Sequence, residues 1–94
     1  MNYYVYILCN KRNGTLYTGV TSDLKKRVYE HKAKLVEGFT KEHGVDNLVW
    51  YEQHEDINAA INREKLVKKW KRNWKLELVD RFNPLWDDLY DRLD

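Results

Sequence analysis

Arg27 and His31 stand four residues apart, Tyr6 and Tyr17 stand eleven apart, and Glu64 is the one acid in a basic run from Arg63 to Lys75. Each residue type has a definite chemical use. A guanidinium offsets the negative charge that builds on a phosphoryl group in its transition state. A histidine titrates near ~6.5 and accepts or relays a proton at neutral pH. A phenol activates or orients a water when its neighbours assist. A lone carboxylate holds a hard cation such as Mg²⁺, with water and substrate oxygens completing the shell, and such a cation polarises a phosphate oxygen. Together these are the parts of a phosphodiester hydrolase with a single metal ion, Mg²⁺ or Mn²⁺. Each residue also has a plainer use. Strand tyrosines commonly pack in a core, and a histidine on an apolar helix face is often simply hydrogen-bonded there. A helical glutamate pairs with a cation, and Arg63, in the same stripe as Glu64, opens a structural Glu–Arg contact as the competing account.

The elements must bring these side chains together. Tyr3 to Asn10 reads as a strand with two apolar or aromatic faces, hence a central one. Lys11-Arg12-Asn13-Gly14 is a turn, Asn-Gly being a strong hairpin signal, and Thr15 to Val20 is the return strand. With a four-residue loop, Tyr6 opposes Gly19 and Tyr17 opposes Leu8. The tyrosines then share one face on a diagonal of ~7 Å. Gly19 leaves room for a group to approach the sheet. Thr21-Ser22-Asp23 offers cap oxygens for a helix from about Asp23 to Lys34. Its apolar stripe is Leu24, Val28 and Leu35, with His31 inside the arc and Arg27 at its border. Residues 36–46 read as a loop and Asn47 to Glu52 as a third strand. A second helix runs from Asp56, as cap, to near Arg72. Its apolar stripe is Ala59, Ala60, Leu66, Val67 and Trp70, and Glu64 falls beside Ala60 and Val67. A shorter helix covers Trp74 to Arg81, and Asn83-Pro84 ends it. The expected fold is α+β, a small three-stranded sheet flanked by helices in the order β-β-α-β-α-α.

Bulk properties narrow the class. Ninety-four residues make one domain, and 43% hydrophobic content gives it a real core. No apolar run reaches the ~20 residues a membrane span needs, and the N-terminus lacks the layout of a signal peptide. The single cysteine, Cys9, reads as a small buried apolar residue, so a reduced, cytoplasmic protein is expected. Charge is uneven: residues 1–75 carry a net +6 and residues 76–94 a net −4. The basic surface suits a polyanion partner. Its expected contacts are Lys25, Lys26, Lys65, Lys68, Lys69, Lys71 and Arg72. A solvated lysine-rich helix face is the plain alternative.

These residues carry a resemblance. Tyr4-Val5-Tyr6 and Tyr17-Thr18-Gly19 resemble the paired signature of the GIY-YIG nucleases. Arg27 and His31 are similar to that family's Arg-x-x-x-Tyr/His helix, Asn62-Arg63-Glu64 to its metal-binding element, and Arg81-Phe82-Asn83 to the Arg-Tyr-Asn that supplies a late asparagine. The resemblance spans residues 3 to about 83 and is closest to small single-domain bacterial members. It implies a three-stranded antiparallel sheet flanked by helices and Mg²⁺-dependent hydrolysis of DNA, structure-selective in repair or recombination. It implies a catalytic set of Tyr6, Tyr17, Arg27 and His31, with Tyr6 or Tyr17 as general base. Glu64 would be the metal ligand, and Asn83 and Gly19 supporting residues. The implied organisation is a nuclease domain over 1–83 and an acidic tail over 84–94 docked on it, acting as a monomer. The chain departs from the family at Tyr4, at Thr18 and at Val20, where some members carry a lysine that Lys25 or Lys26 would have to replace. The alternative function is a nucleic-acid-binding module with weak or no cleavage. It would use the same lysines, with Trp70 and Trp74 as stacking groups.

Overall fold

The computed structural model describes residues 1–94. Strand β1 (Tyr3–Cys9) is central in an antiparallel sheet of order β2-β1-β3, with β2 at Leu16–Thr21 and β3 at Asn47–His54. The β1–β2 register pairs Tyr6 with Gly19 and Leu8 with Tyr17, as the four-residue loop predicts. In that loop Asn13 takes the left-handed conformation (φ 57°). A Cβ on Gly14 would run into Asn10 Oδ1, which already accepts the Thr15 N–H at 2.9 Å.

Alternation along β1 separates two cores. Val5, Ile7 and Cys9 face Ala60 and Val67 of helix α3 (Ile57–Lys69), Val79 of helix α4 (Arg72–Phe82), and Trp86. Tyr6 and Leu8 face Leu24 and Val28 of helix α1 (Leu24–Lys32), together with Val45, Leu48 and Leu89. Cys9 is buried, and burial pushes its thiol up to about 11, which keeps it unreactive.

Four local expectations change. Helix α1 stops at Lys32 and Lys34 turns left-handed (φ 61°), so Leu35 leaves the stripe and is exposed while His31 is buried in its place. The 36–46 loop contains a short helix, α2 (Phe39–His43), closed by left-handed Gly44. Phe39 stacks on His43 one turn on, at 4.6 Å. The second helix ends at Lys69 rather than Arg72, with no glycine or proline to stop it. Tertiary contacts stop it instead: Trp70 adopts an extended conformation, lies under the Arg63 guanidinium at 5.2 Å and meets Trp74 edge-on at 6.1 Å. Arg72 then donates to the hairpin-turn carbonyls of Asn13 and Gly14, both at 2.6 Å, which fixes where α4 begins.

The acidic tail crosses the outer edge of β3. Trp86 packs on one core, its indole donating to Asp80 at 2.6 Å, and Leu89 packs on the other. Asp88 accepts from the Leu48 N–H at 3.2 Å and pairs with Lys32. The tail therefore covers an edge strand that would otherwise present unpaired backbone.

Candidate active site

Tyr6, Tyr17 and His31 meet on the α1 side of the hairpin. The Tyr6 hydroxyl lies 3.2 Å from His31 Nε2. The Tyr6 and Tyr17 ring centres are 6.4 Å apart, and Tyr17 and His31 are 5.6 Å apart. Strand parity puts the two phenols on one face, and α1 lays His31 over them. Arg27, one turn before His31, acts on Tyr6 through its charge and pairs with Glu30 at 3.3 Å. Arg27 is 39% exposed, so one side of it stays open to solvent.

Gly19 makes this arrangement possible. A Cβ there would stand 2.5 Å from both Cζ and the hydroxyl oxygen of Tyr6, well inside contact distance. The Tyr6 ring is 1% exposed and held by His31, so it has nowhere to move. Gly19→Ala is expected to lower stability by ~1–3 kcal/mol through overpacking. It should also break the Tyr6–His31 contact; denaturant unfolding with the His31 imidazole NMR shifts measures both. An unchanged midpoint and unchanged shifts would contradict this account.

Electrostatics divide the proton-handling groups. Burial first, and Tyr17 second, push the Tyr6 phenol up to about 12; Glu64 adds to the rise and Arg27 opposes it. Burial, with the Arg27 charge, holds His31 below its ordinary value. Burial works against the Arg27 charge as well, but the oxygens of Tyr6 and Glu30 more than offset this and raise its pKa. At neutral pH the site thus holds a protonated phenol, a neutral imidazole and a cation.

Glu64 stands on α3, whose Ala60 and Val67 bury against the sheet, and its charge contributes to the rise at Tyr6. Its carboxylate is 12% exposed and pairs with Lys68 at 2.6 Å. Arg63 does not compete for it: Arg63 binds Glu52 at 3.0 Å, and Glu52 also meets His54 at 2.8 Å. No three His, Cys, Asp or Glu side chains form a protein metal cage. One mostly buried hard carboxylate instead fits a cation that keeps its waters and takes phosphate oxygens, as Mg²⁺ does.

The remaining expected residues fall into two groups. Lys26 lines a cleft of about 240 Å³ with Arg27, Val20 and Glu30. Lys25 instead points toward the chain end, donating to the Leu93 carbonyl at 3.4 Å. It lines the largest cleft, about 470 Å³, which contains none of the five residues. Of the two lysines near Val20, only Lys26 therefore lies beside Arg27. Lys65, Lys69 and Lys71 are exposed. Arg72 is spent on the hairpin turn. Asn83 donates to the carbonyls of Val49 at 3.2 Å and Asp87 at 2.8 Å. Val49 is the extra residue of a β3 bulge between Ile7 and Leu8 of β1, so Asn83 satisfies a carbonyl that the irregular ladder leaves over. Its hydrogen bonds brace β3 and the tail.

One site residue escapes a reading of the sequence. Thr40, on α2, lies 3.0 Å from His31 Nδ1 and is 5% exposed. It falls in a stretch read as loop. The only local signal is the pair of glycines, Gly38 and Gly44, that bracket it.

A central hairpin carrying two facing tyrosines, a helix adding arginine and histidine, and a second helix adding glutamate define a class of nuclease fold. The chain belongs to the GIY-YIG family: the model of the GIY-YIG catalytic domain matches residues 2–77. It is similar to UPF0213 proteins of Clostridium perfringens, at 41% identity over 76 residues (81% of each chain), and of Syntrophus aciditrophicus, at 39% over 83 residues (86% of this chain and 92% of that one). Its fold is similar to the solution NMR structure of a UPF0213 protein from Bacillus halodurans, with a TM-score of 0.58 at 31% identity, covering 94% and 93% of the two chains. Family membership makes nucleic acid the substrate class. No helix is long and apolar enough to cross a membrane.

Proposed function

We propose that this chain is a metal-dependent endonuclease that hydrolyses DNA phosphodiester bonds. The observation that carries the reading is the convergence of Tyr6, Tyr17 and His31 on one face of the hairpin, with the charges of Arg27 and Glu64 acting on Tyr6 and Arg27 lining an open cleft. Glu64 would hold Mg²⁺ or Mn²⁺, which when bound supplies positive charge against the charge developing on a phosphate oxygen. Arg27 shares that task from the opposite helix, exchanging Glu30 for the phosphate. Tyr6 does not act as a free phenolate: with its pKa near 12, only about one molecule in 10⁵ is ionised at pH 7. Its proton must leave toward an acceptor as the water is activated, and His31 is the acceptor in reach. Tyr17, less buried and 5.6 Å from His31 between ring centres, borders the same space and orients the water or the phosphate.

Lys26, Lys65, Lys68, Lys69 and Lys71 would track the phosphate backbone. Lysines on phosphates position a duplex without reading its bases. The substrate is therefore chosen by shape, such as a branch or nick met in repair or recombination, by a monomer in the cytoplasm. A second reading, a nucleic-acid-binding module with weak cleavage, draws on Arg27 and Glu64 each being already paired within its own helix.

The test is cleavage of nicked, branched and single-stranded DNA with Mg²⁺ or Mn²⁺, against a chelator control. Binding with steep salt dependence and no cutting on any substrate would favour the second reading. The pH profile adds a check. A neutral His31 accepts a proton and a charged one does not, and its pKa is depressed. Activity should therefore hold as pH falls to ~6.5 and drop only below that. The acid limb should vanish in His31→Gln. Activity that rises on acidification would exclude His31 as acceptor.

A further inference from the structure

Three polar groups form a hydrogen-bonded chain through the site, the Tyr6 hydroxyl, the His31 imidazole and the Thr40 hydroxyl, with the Arg27 charge acting on Tyr6. We propose that Thr40 is a positioning residue that fixes the direction of this chain, so that His31 turns an unprotonated Nε2 toward Tyr6 and a protonated Nδ1 toward Thr40. This rests on the nuclease reading for its purpose, though not for its geometry.

The direction follows from what each group can donate. The Tyr6 hydroxyl carries one proton and is buried, so that proton needs an acceptor. His31 Nε2, 3.2 Å away, is the acceptor within reach in this buried setting. A neutral imidazole has one N–H, so Nδ1 carries it and donates to Thr40 Oγ1 at 3.0 Å. The charged and titratable groups facing His31 are Arg27 and Glu30 on α1, Asp46 before β3, Tyr6 on β1 and Tyr17 on β2. Thr40 is the neutral member of this shell that touches Nδ1. A carboxylate there would favour a permanently charged imidazolium; a hydroxyl orients the ring without charging it.

Helix α2 holds Thr40 in place. The Thr40 carbonyl accepts the Val45 N–H at 3.0 Å, and Val45 is fully buried. The short helix thus links the sheet core to the back of His31.

The oriented chain defines a balanced proton path. As the water oxygen bonds to phosphorus, the bond from phosphorus to the leaving sugar oxygen breaks. The proton lost by the water goes to the Tyr6 oxygen while the Tyr6 proton goes to His31 Nε2. The leaving oxygen takes a proton from solvent, and His31 later returns its proton to solvent. One water is consumed, and a phosphomonoester and a hydroxyl are formed. With the opposite tautomer, Nε2–H would point at Tyr6 and the path would have no acceptor.

Nitrogen-15 NMR of the imidazoles in the full chain tests this directly, since only three histidines need assignment. The wild type should show a pyrrole-type shift at His31 Nδ1 and a pyridine-type shift at Nε2. Thr40→Val, which keeps the shape and removes the hydroxyl, should lose that preference and lower kcat about tenfold with KM unchanged. Thr40→Ser should restore both. A wild-type protein protonated at Nε2 overturns the proposal whether or not Thr40→Val folds. So does a folded Thr40→Val with the wild-type tautomer. If the protein shows the expected tautomer but cuts no DNA, the hydrogen-bond assignment stands and the nuclease reading fails. If it cuts DNA with the opposite tautomer, only this proposal fails.

Discussion

Glu64→Gln is expected to abolish metal-dependent cleavage while leaving the fold and DNA binding intact. The carboxylate would be the one hard donor the protein brings to a metal, and its amide isostere binds Mg²⁺ poorly. Removing several kcal/mol of transition-state charge stabilisation corresponds to a fall of ~10³-fold or more in kcat. The fold should hardly notice. The Glu64–Lys68 pair spans one helical turn, and Lys68 is 49% exposed, so its loss costs well under ~1 kcal/mol. The effect on Tyr6 also helps to isolate the cause. The Glu64 charge contributes to the rise in the Tyr6 pKa. Losing it makes the phenol more acidic and proton transfer from it easier. A loss of cleavage therefore cannot be assigned to a harder proton transfer at Tyr6. Single-turnover cleavage across a Mg²⁺ titration, with binding measured in parallel, reads all of this. A Glu64→Gln protein cutting near the wild-type rate would remove Glu64 from the metal.

Arg27→Ala carries the second large effect. A fixed cation facing developing phosphoryl charge in a partly desolvated site is worth ~10²–10³ in kcat. Arg27→Lys should recover part of it, keeping the charge and losing the planar two-point contact. Arg27 is substantially exposed and its partner Glu30 sits within the same helix, so the thermal midpoint should move little. The substitution also leaves an electrostatic signature. The Arg27 charge helps to depress His31, so removing it raises the His31 pKa. The residual activity should therefore fail at a higher pH than in the wild type as the solution is acidified. Cleavage that survives both Arg27→Ala and Glu64→Ala would point to a contaminating nuclease.

The relation between these side chains was legible in the sequence wherever it depended on local periodicity. Strand alternation and a four-residue turn put Tyr6 and Tyr17 on one face opposite Leu8 and Gly19, and the structure pairs them so. A helical spacing of four made Arg27 and His31 neighbours. The position of Glu64 beside Ala60 and Val67 put it at the border of the buried stripe, mostly buried yet within reach of Lys68. These relations follow from backbone repeats of two and 3.6 residues, which any reader of the chain can count.

What each polar group bonds to was decided by tertiary structure. Nothing near Thr40 in the chain points to His31, nine residues earlier, because α1 and α2 must first fold back on each other. Arg72 looked like one more cation of a basic helix, yet the hairpin turn lies within its reach and takes it. Asn83 is drawn to a bulge carbonyl on β3, and no repeat in the sequence marks where a ladder will slip. The tail is expected to dock, but only the fold shows where: Trp86 and Leu89 pin it across an open strand edge. Sequence by itself determined which side chains share a face, because the backbone geometry that sets a face is local. Tertiary structure alone decided which of those side chains remain free for chemistry, because a buried polar group must find its partner wherever the fold places one.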